Sequence, residues 1–386
     1  MNRPFLILSV DTPWVYALAQ NLVESTPVTA MRFYDFLNYR RLKPVWPEVA
    51  SAVTRRQVVM PQGYAGILEP VFRPLMRHLI KREWIKLRDQ TSLEPIVIVT
   101  YPYIASWVSF INSNSLIYYN LDNYELYNPP RALQIRAKEA LLISQSRVTL
   151  CLSAYQTERL SRRQPIYRQK IKHFPLGVKD EFVNTEPHSA PIPKTVGYVG
   201  NLGERVDWSL VCAVADRLPD VNFHFVGFLV GPTDIRQMSP WQRERYKALK
   251  RPNVVCEGGV PQEVVPKYYR KYAVNWMPYL ADHPFNLASC PTKIMDSIAS
   301  GRPFVSTPIP EVSLYPEYIK TAADPEGLSI KIREVLQVSG DPFARVEFAK
   351  ANCWKERANC LIQYINDDIF PAYENSGNPS VIPKRS

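Results

Sequence analysis

Short β-branched or aromatic runs alternate with stretches of helical periodicity along almost the whole chain, and this alternation constrains the fold more than any single motif. The runs FLILSV, PVTAMRFY, PIVIVT, SLIYYN, VTLCLS and IKHFPL are followed by TVGYVG, NFHFVG, NVVCEG, AVNWMP and PFVSTP. Strand, helix, strand in this rhythm predicts right-handed βαβ units and mostly parallel sheets. Between Gly177 and Lys194 the rhythm stops: GVKDEFVNTEPHSAPIPK is polar, proline-rich and aperiodic, as a linker is. A chain of 386 residues is too long for one core. The expectation is an α/β protein with two Rossmann-like doubly wound domains facing a cleft, residues 1–176 and 195–353, joined by 177–194. Residues 373–386 have the composition of a flexible tail. Ligands of such domains bind outside the carboxyl ends of the strands, so the chemistry belongs in strand-to-helix turns.

A net charge of +11 points to a polyanionic partner: nucleic acid, anionic lipid or a phosphate-bearing substrate. No recognition-helix or RNP-like motif is visible, so nucleic acid is not expected. The 6 cysteines are scattered without a C-x-x-C pair, which indicates neither a zinc site nor a disulfide framework and fits a reduced, cytoplasmic compartment. MNRPFLILSV reads as a first strand rather than a signal peptide. The uncharged stretch from Pro95 to Leu121 contains Pro102 and reads as strand, helix (YIASWVSFIN), strand rather than a membrane span. From Pro74 to Gln90 an amphipathic helix is expected, with Leu75, Leu79, Trp84, Ile85 and Leu87 interleaved with Arg77, Lys81, Arg82, Lys86 and Arg88. That pattern suits contact with an anionic membrane surface through 74–90, at the inner face of the membrane, and equally an ordinary packed helix with a basic edge.

Two segments of the second half carry candidate chemistry. TVGYVGNLGERVDW is a strand, a turn holding Gly200 and Gly203, and a helix start, with Arg205 close by. Such a unit aims free N–H groups and a helix dipole at an anion, although a tight turn alone would also use these glycines. In NWMPYLADHPFNLASCPTKIMDSIASGRPFVST a helix begins near Pro291 or Thr292, which puts Lys293 and Asp296 on one face of its first turns. Lys293 there can neutralise a phosphate and Asp296 can accept hydrogen bonds from a ribose diol. The same spacing also suits a surface ion pair.

Taken with NFHFVG, NVVCEGGVPQEVVPKYYRKYAVNWMPY and NCWKERANCLIQYI, these segments resemble the C-terminal half of family 4-like GT-B glycosyltransferases. LIYYNLDNYELY and VTLCLSAYQTERL are similar to segments of the family's first half. The resemblance implies transfer of a sugar from a UDP- or GDP-sugar to a glycan or lipid-linked acceptor. It places Gly200, Asn201 and Arg205 against the donor diphosphate and Gly258, Gly259 and Val260 against the nucleobase. Pro291, Thr292 and Lys293 would meet the phosphates, with Asp296 on the ribose. Residues 354–372 would form a closing helix that crosses back to the first domain.

Departures from the family pattern bear on mechanism. Many retaining members have two glutamates with seven residues between them; Asp296 stands for the second and Ala288 for the first, leaving Asn286 and Ser289 to bond sugar hydroxyls. An inverting enzyme needs a base for the acceptor hydroxyl. Asp122, past SLIYYNL, and Asp11, past the first strand, both lie at strand carboxyl ends, and Asp122 is the preferred base; a turn or helix cap would use Asp122 equally well. No metal constellation is visible, so metal-independent transfer is expected, with the nucleotide-sugar as co-substrate and no cofactor. The alternatives are a nucleotide-sugar epimerase of the same fold and a non-catalytic nucleotide-binding relative, which the missing glutamate favours.

Overall fold

The computed structural model describes residues 2–44, 46, 52–187, 189–232 and 234–367. The chain divides into two compact units, Met1–Gly177 with Trp354–Pro371, and Val178–Cys353 with Ala372–Ser386. The expected tail, 373–386, and the end of the expected closing helix lie outside the described residues.

The first unit is built on seven parallel strands: β1 (Phe5–Leu8), β2 (Val28–Asp35), β3 (Thr54–Met60), β4 (Ile96–Val99), β5 (Leu116–Asn120), β6 (Val148–Cys151) and β7 (Ile171–His173). They run in the order β3-β2-β1-β4-β5-β6-β7. Every residue of β1, β4, β5 and β6 is buried, the reason these strands read as unbroken apolar runs: a parallel sheet is covered on both faces. Helices α1 (Pro13–Leu22), α2 (Phe36–Leu42), α3 (Glu69–Thr91), α4 (Ala132–Gln145) and α5 (Ala154–Arg163) connect them.

The second unit has six parallel strands: β8 (Ile192–Val199), β9 (Asn222–Val226), β10 (Val254–Gly258), β11 (Tyr272–Met277), β12 (Phe304–Ser306) and β13 (Ile319–Thr321). Their order, β10-β9-β8-β11-β12-β13, is the doubly wound order of dinucleotide-binding folds. Its helices are α6 (Trp208–Arg217), α7 (Pro240–Leu249), α8 (Val265–Lys271), α9 (Pro284–Ala288), α10 (Thr292–Ala299), α11 (Pro325–Gln337) and α12 (Pro342–Ala351). The final helix, α13 (Trp354–Asp367), belongs to the first unit. There Arg147 lies 5.4 Å over the Tyr364 ring, and a side chain at Gly177 would come within 2.8 Å of the Trp354 backbone.

The α/β class with two doubly wound sheets agrees with the sequence reading, and four local expectations change. Strands β3 and β13 have no apolar run to betray them because they are edge strands with one flank in solvent. The helix expected over YIASWVSFIN is a 3₁₀ turn, Pro102–Trp107, opened by Pro102 and sunk into the core by Tyr103, Ile104 and Trp107. The expected linker is packed: Asn184 donates to Ser300 O at 2.9 Å, Arg270 to Glu181 O at 2.7 Å, and β8 already starts at Ile192. Helix α3 starts at Glu69, ahead of Pro74. Met76, Ile80 and Leu87 enter the first unit's core, Leu79 and Trp84 pack against it, and Arg82 and Lys86 pair with the buried Glu83. The apolar residues expected to face a bilayer are thus divided: Leu79, Trp84 and Leu87 lie on the protein's own core, while Leu75 is exposed.

Candidate functional site

In the second unit, three adjacent strands end in glycine: Gly200 after β8, Gly227 after β9 and Gly258 closing β10. Gly200 N–H bonds Val226 O and Gly227 N–H bonds Gly258 O, each at 2.8 Å. A Cβ at Gly227 would collide with the Gly200 carbonyl oxygen, while Gly200 (φ 143°) and Gly258 (φ 80°) adopt backbone angles that favour glycine. The result is a bare backbone ledge at the strand carboxyl ends. Gly197, by contrast, is a packing glycine, since the Tyr272 ring lies where its side chain would be.

Over this ledge lies Lys293, from the first turn of α10. A Cβ on Gly200 would fall 2.6 Å from Lys293 Cε. The ammonium stands 5.3 Å from the Tyr198 ring and 5.7 Å from the Tyr279 ring. Arg205 comes to the same place from the other side, its guanidinium 5.2 Å from the Tyr279 ring. Burial pushes the Tyr279 phenol up, but Lys293 and Arg205 outweigh it, and the phenol is lowered. The turn bearing Arg205 is stitched to the segment after β11 by Asp207 N–H to Pro278 O (2.8 Å) and Leu280 N–H to Arg205 O (3.0 Å).

Asn286 and Ser289, expected to meet sugar hydroxyls, are committed to Arg205. Asn286 is fully buried; its Oδ1 accepts from Arg205 Nε at 2.6 Å, and its Nδ2 donates to Arg205 O and Leu280 O. Ser289 Oγ accepts from Arg205 Nη2 at 3.0 Å. Ala288, at the position of the missing glutamate, is buried. Pro291 caps α10, Thr292 is exposed beside it, and the Asp296 carboxyl is pushed up to about 7, chiefly by desolvation, with Thr292, Lys293 and Lys179 pulling down. Asn201 is exposed, its carbonyl accepting from Tyr198 OH. Gly259 is covered by the exposed Phe228 ring, and Val260 packs on the core. Gly200, Arg205, Lys293 and Asp296 are thus placed about one end of the sheet; Tyr198, Tyr279 and Gly227 join them, each inside a segment quoted above but given no role by the sequence.

In the first unit the turn after β1 puts Ser9 at φ 61°, a left-handed conformation unusual for serine. The strain is held by Thr100 Oγ1, which donates to Leu8 O and Ser9 O, and by Arg32 Nε, which donates to Val10 O at 2.7 Å. This turn presents Asp11 at the surface. Its carboxyl is pushed up to about 6 by the surrounding protein, Arg32 pulling the other way. Asp122 is placed differently: Oδ1 accepts from Asn123 N–H at 2.7 Å and Oδ2 from Tyr127 OH at 2.5 Å. It braces its own turn. Beneath that turn, Glu139 accepts from Tyr118 OH and Asn120 Nδ2, and Arg159 joins Glu139 to Glu125. Among the described residues no group of three or more His, Cys, Asp or Glu side chains could hold a metal ion, and no helix is long and apolar enough to cross a membrane.

Known proteins resemble this chain in sequence and in fold. Residues 193–338 match the family model "Glycosyl transferases group 1". The chain is 25% identical over 247 residues to a Bacillus subtilis (strain 168) protein assigned as the glycosyltransferase TuaH of teichuronic acid biosynthesis; the match spans 60% of this chain and 58% of that relative. Among solved structures it resembles a glycosyltransferase from Rickettsia africae (TM-score 0.66, 12% identity, 95% of this chain and 100% of that one). Anabaena HepE, solved in complex with UDP, is similar at TM-score 0.65 and 11% identity, over 95% of this chain and 100% of that one. The same holds for sucrose-phosphate synthase of Thermosynechococcus elongatus, at TM-score 0.63 and 15% identity, over 95% and 98%. The chain has the architecture of GT-B glycosyltransferases, and the segment that matches the group 1 glycosyl transferase model lies in its second unit.

Proposed function

We propose that this protein transfers a sugar from a nucleoside-diphosphate sugar, UDP- or GDP-linked, to a hydroxyl of a glycan acceptor. The observation that carries the reading is the convergence of Lys293 and Arg205 on one phenol, Tyr279, above the glycine ledge. Two cations held side by side with no salt bridge among the described residues are an anion site, and a diphosphate is the anion that a strand-to-helix glycine turn suits. The solved complex of HepE with UDP and glucose supports a nucleotide-sugar donor, and the TuaH relative supports a role in polysaccharide synthesis.

As the bond from the anomeric carbon to the diphosphate oxygen breaks, negative charge grows on the leaving diphosphate. Lys293 and Arg205 stabilise it there, which a preorganised cation does without rearranging at the moment of reaction. The acceptor oxygen forms the new bond to the anomeric carbon and gives up its proton. Asp11 is the better base for that proton: its carboxylate has no hydrogen-bond partner among the described residues, and a carboxyl near 6 is half ionised close to working pH. Asp122 is already engaged by Tyr127 and its own turn. A base on the acceptor, and an apolar residue where retaining relatives place a glutamate, favour inversion at the anomeric carbon.

A thermal-shift screen with UDP, GDP and ADP tests the donor reading, because a ligand bound by the native state alone raises its stability. Stabilisation by one nucleoside diphosphate, with release of that diphosphate from its sugar accelerated by a glycan, is the expected result. Interconversion of free nucleotide sugars without acceptor would point to the epimerase, and binding without turnover to a non-catalytic relative.

A further inference from the structure

At the carboxyl edge of the first unit, a band of tyrosines crosses four neighbouring strands. Tyr34 lies near the end of β2, Asp11 follows β1, Tyr101 follows β4, and Tyr124 and Tyr127 follow β5. Tyr101 packs on Tyr103 at 5.0 Å and edge-on to Tyr124 at 4.9 Å, and Tyr124 lies 6.3 Å from Tyr127. Three strand spacings make the band about 14 Å long, at roughly 4.8 Å each. Its outer rings stand in solvent, Tyr101 36% and Tyr127 62% exposed. Two hydroxyls are tied down, Tyr124 OH to Thr100 O and Tyr127 OH to Asp122 Oδ2, both at 2.5 Å. Burial raises the phenols of Tyr34, Tyr64 and Tyr101, and the Asp11 charge adds to the rise in each, so that carboxylate sits near all three.

We infer that this band is the acceptor subsite and that it takes an uncharged glycan, with sugar rings stacked on Tyr101 and Tyr127 and a hydroxyl offered to Asp11. The inference rests on the transferase reading above and names what that reaction acts on. Tied aromatic rings give contact area without a large ordering cost, so their exposure to solvent is useful only to a ligand with a flat apolar face. The C–H faces of pyranose rings are such surfaces, and their hydroxyls suit the phenols and carboxylates at the rim. An acyl chain would bury the Asp11 carboxylate with no polar group to satisfy it, and a polyanion would be repelled by the Asp11 and Asp122 carboxylates, an effect that Lys138, 5.3 Å from the Tyr103 ring, offsets only in part.

Affinity electrophoresis of the full chain through gels containing hydroxyethylcellulose, glycol chitin or hyaluronate tests the inference without turnover. At least one neutral polysaccharide should retard the wild type, and hyaluronate should not. Tyr101→Ala with Tyr127→Ala should weaken that retardation about tenfold, the scale of losing stacked aromatic contacts, while Tyr101→Phe with Tyr127→Phe keeps it. Thermal melts of both doubles confirm folding, which the exposure of the two rings favours. Retardation of the alanine double equal to wild type, or of the wild type by hyaluronate alone, or by none of the three, overturns the inference. UDP and GDP binding in the same samples reports separately on the donor reading, so failure of one is told from failure of the other.

Discussion

Lys293 occupies the space that a side chain on Gly200 would need: a Cβ there would fall 2.6 Å from Lys293 Cε and closer still to Nζ. Gly200→Ala must therefore push the ammonium off the glycine ledge, in addition to straining a backbone at φ 143°. Lys293→Ala should remove a charge-assisted contact of about 1.5 to 3 kcal/mol and weaken nucleoside-diphosphate binding roughly ten- to hundredfold. Gly200→Ala should weaken it comparably, and the double variant should be little worse than either single one, because both act through one ammonium. Calorimetric titration with UDP and GDP measures this; fully additive losses would separate the two residues.

Arg205 depends on Asn286 for its position. Asn286→Ala removes a side-chain donor from the carbonyls of Arg205 and Leu280, which keep their backbone bonds from Leu280 and His283, and leaves the guanidinium held by Ser289. An unfolding free energy lower by about 1 to 3 kcal/mol is expected in urea titration, together with weaker diphosphate binding. Ser289→Ala loses one bond to the same guanidinium and should cost less on both counts. Stability loss with diphosphate affinity intact would show that Arg205 is not a donor ligand.

Asp11 and Asp122 are separated by their hydrogen bonds. Asp11→Asn should lower turnover by about 10² to 10⁴ with diphosphate affinity nearly unchanged. Asp122→Asn should act mainly on stability, through the Tyr127 contact. Because the base works ionised and its carboxyl is raised to about 6, activity should rise with pH and reach half its plateau near there. An active Asp11→Asn enzyme beside a dead Asp122→Asn enzyme would return the role to Asp122.

Asp296 is raised from 3.8 to about 7, so between those values the folded chain holds a proton that the unfolded chain has released. Its contribution to stability is full below about 4 and is lost as pH rises through about 7. Asp11 contributes with the same sign up to about 6. Urea midpoints should thus fall between pH 5 and pH 8, and less steeply in Asp296→Asn. If Asp296 holds the ribose, as the family resemblance implies, its ionised form is the stronger acceptor, so UDP affinity should climb over the same interval in the wild type and stay flat in the variant.

The order of elements and the doubly wound class were legible in the sequence because they rest on local periodicity: strands buried on both faces, such as β1 and β4, read as continuous apolar runs whatever they pack against. The glycine turn at Gly200 and the helix start at Pro291 were legible for the same reason, since each is a backbone requirement of neighbouring residues. Strands β3 and β13 were not, because an edge strand needs no apolar run. Nor was the packing of the 74–90 helix, whose amphipathic pattern is the same whether the apolar side meets a bilayer or β1 and the turn after β4. What only the tertiary structure decided is which groups have partners. Asp11 and Asp122 stand in equivalent places after their strands, yet Tyr127 and a backbone amide engage one and leave the other to the phenols around it. Asn286, polar and beside the expected site, turned out to serve Arg205, 81 positions away in the chain. A pattern along the chain records what a residue is next to in sequence; the hydrogen bonds that commit or release a functional group come from residues far away in it.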